Sequence, residues 1–112
     1  MSIKSRIESL KDFLQMEPND AFTLYALALE YAREDNLNES QNYFTQLLHR
    51  HPGYLAAYYH LGKLYERLNN SVEAGSIYMA GIKLAERLNN NHARTELNSA
   101  YKELTGIDES DL

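Results

Sequence analysis

The sequence predicts an all-α fold, a stack of antiparallel helix pairs with about six helices, and three observations predict it. The chain repeats with a period of 34 residues: Pro18 and Pro52 each close an apolar run, Phe13-Leu14 and Leu47-Leu48. A shift of 34 superposes residue classes, placing Leu24 on Tyr58, Leu27 on Leu61, Ala28 on Gly62, Tyr31 on Tyr65, Ser40 on Ala74 and Phe44 on Tyr78. Within each segment the apolar residues recur every three to four positions, and the breakers Pro52-Gly53 and Asn89-Asn90-Asn91 fall between segments. Such a unit cannot bury its apolar face alone and stacks on copies of itself.

Each element follows from local signals. Ile3, Ile7, Leu10, Phe13 and Leu14 make an amphipathic helix over 3–16. Shifted by 34, Ile3 falls on Leu37 and Leu10 on Phe44, so this helix matches the second helix of a repeat and forms a leading half-repeat. Asn19 or Asp20 can cap a helix over 20–34. Asp35-Asn36 turns into a helix over 38–50, with Glu39 complementing the dipole of its first turn. After Pro52-Gly53 come helices over 54–67 and 71–88, joined by Asn69-Asn70 with Ser71 as the expected N-cap. Ala93, Leu97, Ala100, Tyr101 and Leu104 line one face of a last helix that ends near Gly106. A shift of 34 puts His92 on Tyr58 and Thr95 on Leu61, so this helix caps the stack and does not begin a third repeat. The expected organisation is one domain over 1–107: helix 3–16, repeat 1 over 20–52, repeat 2 over 54–88, a capping helix over 91–105, and a frayed tail 108–112.

The spacing and residues resemble the tetratricopeptide repeat family, whose signature is W-x2-L-G-x2-Y, then A-x3-F, then P. The second repeat reads Tyr58-x2-Leu61-Gly62-x2-Tyr65, then Ala74-x3-Tyr78, with Glu86 in the proline position. The first reads Leu24-x2-Leu27-Ala28-x2-Tyr31, then Ser40-x3-Phe44, then Pro52. The tryptophan position holds Leu24 and Tyr58, both bulky enough to keep the packing. The resemblance implies a right-handed superhelical α-solenoid. It also implies a non-catalytic protein–protein interaction scaffold whose first helices line a concave groove.

Composition narrows the class. The 112 residues can bury a modest core, and their 44% hydrophobic and 24% charged content is that of a globular domain. With no cysteine, disulfides and thiolate metal sites are excluded. Charges break the N-terminal stretch where a signal peptide needs an apolar run, and a cytoplasmic location is expected. No stretch approaches the roughly 18 apolar residues of a membrane span. The net charge of −5, with basic residues scattered singly, argues against nucleic acid as a partner.

Groove positions left over from the repeat core are Phe22, Tyr25, Leu29 and Arg33 in the first pair, and Tyr59, His60, Lys63, Glu66 and Arg67 in the second. Arg94 and Tyr101 of the capping helix are further candidates. This strip, aromatic at one end and mixed in charge at the other, suits a peptide or protein segment. The alternatives for the Phe22, Tyr25 and Leu29 face are a second copy of the chain, giving a homodimer, or burial against the chain's own N-terminal helix. Family members that clamp a C-terminal carboxylate use Lys or Arg plus Asn in the groove. Tyr25, Leu29 and His60 stand at those positions and argue against that partner. Catalysis and metal binding are remote readings: His49-x-His51 has the wrong helical spacing for two ligands, and no phosphate loop or nucleophile motif is present. Glu30, Glu34 and Asp35 read as a solvated helix end. No cofactor is expected.

Overall fold

In the computed structural model, which describes residues 4–112, the backbone forms six α-helices and no strand among those residues. They are α1 (Arg6–Met16), α2 (Ala21–Arg33), α3 (Leu37–Arg50), α4 (Ala56–Arg67), α5 (Ser71–Arg87) and α6 (Asn91–Thr105), followed by a 3-10 turn at Glu109–Asp111. Ile3, assigned by periodicity to the first helix, lies outside the described residues. The chain divides into two compact units, one of α1–α3 ending at Tyr54 and one of α4–α6 beginning at Leu55. The division falls at the repeat boundary that the prolines mark.

One turn device is used three times. Asp35, Asn69 and Asn89 adopt left-handed φ values of 60°, 58° and 55°, a conformation that the short polar side chains of Asn and Asp tolerate. The next residue then closes the preceding helix: the N–H groups of Asn36, Asn70 and Asn90 donate to the carbonyls of Tyr31, Tyr65 and Ala85 at 2.9, 2.8 and 2.9 Å. Those three asparagines also open the following helix, their side-chain oxygens accepting from the N–H groups of Glu39, Glu73 and Ala93. The N-cap of α5 is therefore Asn70. Ser71, the expected cap, is the first helical residue, because the left-handed Asn69 delivers the next side chain to the helix end.

Asp20 caps α2 by accepting from the N–H and Oγ1 of Thr23. The helix α4 starts at Ala56, two residues later than its expected start, because a turn holds the Tyr54 N–H on the His51 carbonyl.

In the first unit, Leu24, Leu27, Ala28 and Tyr31 of α2 and Ser40, Phe44 and Leu47 of α3 are buried. The small residues let the two backbones approach, and the Ser40 hydroxyl donates to the Ala28 carbonyl at 2.7 Å. Against them α1 contributes only the half-buried Ile7, Leu10 and Leu14. Phe13, expected on its apolar face, stays 43% exposed.

In the second unit the core is Ala74, Tyr78, Ile82, Leu97 and Ala100, flanked by Tyr58, Tyr59 and Leu104. Gly62 lies directly under the Tyr78 ring. The tail, expected to fray, is tied to α6 instead: Arg94 pairs with Glu109, and Asn98 Oδ1 accepts the Glu109 N–H at 3.1 Å. Those partners are 15 and 11 residues apart, beyond any local pattern.

Candidate functional site

The N-terminal halves of α4 and α6 leave a cleft of about 270 Å³ between them. Its apolar lining comes from Leu55, Ala56, Ala93 and Leu97, and its polar groups are Tyr59, His60, Asn90 and Glu96. Tyr59 and Glu96 are shared with an adjoining hollow of about 220 Å³, which extends along Lys63, Thr95, Ser99 and Glu103. An apolar pocket with a few converging polar groups is the arrangement that binding sites favour.

Helical spacing produces this convergence. Tyr59, His60 and Lys63 share a face of α4 beside the buried Leu61 and Leu64, while Ala93, Glu96, Leu97, Ala100 and Glu103 share a face of α6. The His60 ring meets Tyr59 edge-on at 5.6 Å. Burial pushes the His60 pKa below its ordinary value, an effect the nearby Glu96 partly offsets, so the imidazole is neutral at pH 7. Lys63 lies 5.6 Å from the Tyr59 ring centroid and 3.7 Å from Glu66. Glu66 also accepts from the Tyr78 hydroxyl, whose pKa is pushed up by burial and by that carboxylate.

Of the residues expected in the groove, Tyr59, His60 and Lys63 thus come together. Arg67, in the last turn of α4, lines neither hollow. In the first unit Phe22 is 62% exposed at the start of α2. Tyr25 is half-buried, its ring 5.1 Å from Tyr54 and 6.4 Å edge-on from Phe44, so much of this side chain is spent within its own unit. Leu29 is half-buried, and Arg33 is exposed 3.7 Å from Glu30, which Arg6 also holds at 2.9 Å. Arg94 pairs with Glu86 and Glu109, and Tyr101 lines a different hollow, between α5 and the C-terminal half of α6.

Among the cleft residues that sequence reasoning missed are Leu55 and Ala56 at the start of α4 and Ala93, Glu96, Leu97 and Glu103 on α6. Ala93 and Leu97 were legible as a helix face, but were assigned wholly to the core. The seven-residue spacing of Glu96 and Glu103 was a usable signal.

His49 is exposed, and His51 Nε2 lies 2.7 Å from the Asn19 carbonyl, within its own unit. Among the described residues no group of three His, Asp or Glu converges as a metal site would, and no helix is long and apolar enough to cross a membrane.

The family model for the tetratricopeptide repeat matches residues 55–88, the second helix pair. A tetratricopeptide repeat domain protein from Salinibacter ruber, solved by NMR, is 38% identical over 82% of this chain and 93% of its own, with a TM-score of 0.75. The TPR2B domain of yeast Sti1, solved in complex with pHsp70, has a TM-score of 0.83 at 15% identity, covering 89% of this chain and 80% of that one. A protein from Bordetella parapertussis has a TM-score of 0.81 at 18% identity, over 93% and 90% of the two chains. The last two likenesses show the fold alone. No curated protein matches the sequence.

Proposed function

The chain belongs to the tetratricopeptide repeat family, and from that premise we propose that it binds a peptide segment of a partner protein, anchored in the cleft between α4 and α6. Domains of this family are protein-interaction modules. The observation that carries the finer reading is the cleft itself, an apolar floor of Ala56, Ala93 and Leu97 rimmed by Tyr59, His60 and Glu96. An apolar side chain entering it leaves water, at about 25 cal/mol per Å² of area buried. The rim groups can hydrogen-bond the backbone that follows it. Tyrosine at such a position loses little side-chain entropy and presents a large contact area. The Sti1 domain was solved in complex with pHsp70, which supports a protein partner by analogy of fold.

The test is selection from a displayed library of random peptides, with the full chain and its Ala56→Arg variant. Ala56 is exposed and lines the cleft, so arginine there fills the site without entering the core. Enriched sequences should bind the parent and lose at least tenfold in affinity for the variant, with helicity unchanged by circular dichroism. The reading fails if nothing is enriched, or if parent and variant bind the same peptides equally.

A further inference from the structure

We infer that the segment this cleft accepts is basic: an apolar anchor accompanied by lysine or arginine. The inference rests on the peptide-binding reading above and adds the chemistry of the partner. It is carried by how charge is distributed around the two adjoining hollows. Glu96 lines both from α6, and Glu103 lines the second. One cation, Lys63, lines the second hollow with them, but it lies over the Tyr59 ring and 3.7 Å from Glu66, so the lining keeps a net negative charge. Arg94 is held by Glu86 and Glu109. His60 adds a neutral ring, and His92 reaches Glu96 from an exposed position at 2.7 Å.

The apolar floor and the carboxylates are thus contiguous, sharing Glu96. A ligand that buries an apolar side chain there brings its neighbouring residues against negative charge. An acidic neighbour would face repulsion from these two carboxylates, and like-charge juxtaposition is how interfaces exclude wrong partners.

Spacing makes the inference more specific. Glu96 and Glu103 are seven residues apart on one helix, about 10.5 Å along its axis at roughly 1.5 Å per residue. A peptide in the polyproline II conformation rises about 3.1 Å per residue with three residues per turn, so two basic residues three positions apart lie on one face, about 9.3 Å apart, and meet both carboxylates. The recognised pattern is therefore a large apolar residue beside a Lys or Arg, with a second base three positions from the first.

The peptide selection decides this. Winning peptides should be net positive, with an apolar residue adjoining Lys or Arg. Replacing their bases by glutamine should weaken binding measured by fluorescence anisotropy. The Glu96→Gln, Glu103→Gln double variant should weaken it to match, by about three- to tenfold for two partly exposed ion pairs, and should flatten the salt dependence. Glutamine nearly matches glutamate in helix propensity, and circular dichroism is the check that the helix is kept. Glu17→Gln, in the exposed turn after α1, changes net charge alone and should leave affinity within twofold. Winners that are acidic or uncharged overturn the charge assignment while leaving peptide binding intact. So does a double variant within twofold of the parent. No winners at all would sink both readings.

Discussion

Gly62 is where a single methyl group should be most costly. A Cβ there would lie 2.2 Å from Tyr78 Cε1 and 2.6 Å from both Cδ1 and Cζ. Carbon atoms rest about 3.5 Å apart or more, so the ring would have to retreat by more than an ångström. It has nowhere to go. Tyr78 is fully buried among Ala74, Ile82 and Ala100, and its hydroxyl is held by Glu66. Overpacking of this kind costs about 1–3 kcal/mol, and losing a hydrogen bond to a charged group costs about 1.5–3 kcal/mol more. Against this stands the gain in helix propensity of alanine over glycine, roughly 0.5–1 kcal/mol. The steric term wins, and Gly62→Ala should destabilise by about 3.5 kcal/mol, with Gly62→Leu worse. At roughly 2.1 cal/mol/K of unfolding entropy per residue, the 112 residues convert this to a fall in Tm of about 15 °C. Gly75 is the control, because its Cβ would meet Leu104 and Tyr101 at 3.9 Å, ordinary contact distance. Gly75→Ala should therefore gain about 0.5–1 kcal/mol from propensity alone. Thermal unfolding followed by circular dichroism separates the two. A neutral or stabilised Gly62→Ala would show that the two helices do not approach as described.

Two further outcomes follow from the same unit. Deleting 92–112 removes Leu97 and Ala100 from the core and uncovers Tyr78, Ile82 and Ala85; the truncated chain should melt at lower temperature and aggregate in gel filtration, and a soluble monomer of unchanged Tm would show α6 to be an appendage. His60 should make stability depend on pH. Its folded pKa lies below the ordinary 6.5, so the unfolded chain binds its proton first. The contribution is present above pH 6.5 and is lost as pH falls from there toward the folded value. Between pH 7.5 and 5.5 the parent should lose more Tm than His60→Gln, and equal losses would refute a desolvated imidazole.

The order of elements was legible in the sequence because it rests on local and periodic chemistry. A 34-residue spacing of large and small residues, broken by Pro52-Gly53 and by Asn and Asp turns, is enough to define six helices. It also superposes Ala28 on Gly62 and Phe44 on Tyr78, whereas the Ser40 bond to the Ala28 carbonyl and the Tyr78 ring over Gly62 come from the structure. Caps were legible to within one residue, since Asn70 and Ser71 are both good N-caps and only the left-handed Asn69 decides between them.

The functional surface needed the tertiary structure. Periodicity places Tyr25 off the repeat core, yet Tyr54, 29 residues away, meets its ring and turns it inward. Glu96 and Glu103 are ordinary helix-surface residues until α4 and α6 set them beside Tyr59 and His60. Arg94 looks available in the sequence but is consumed by Glu86 and Glu109. Burial patterns repeat along the chain because each helix pair solves the same packing problem. Which charges remain for a partner depends on contacts between residues far apart in sequence, and no local period encodes those.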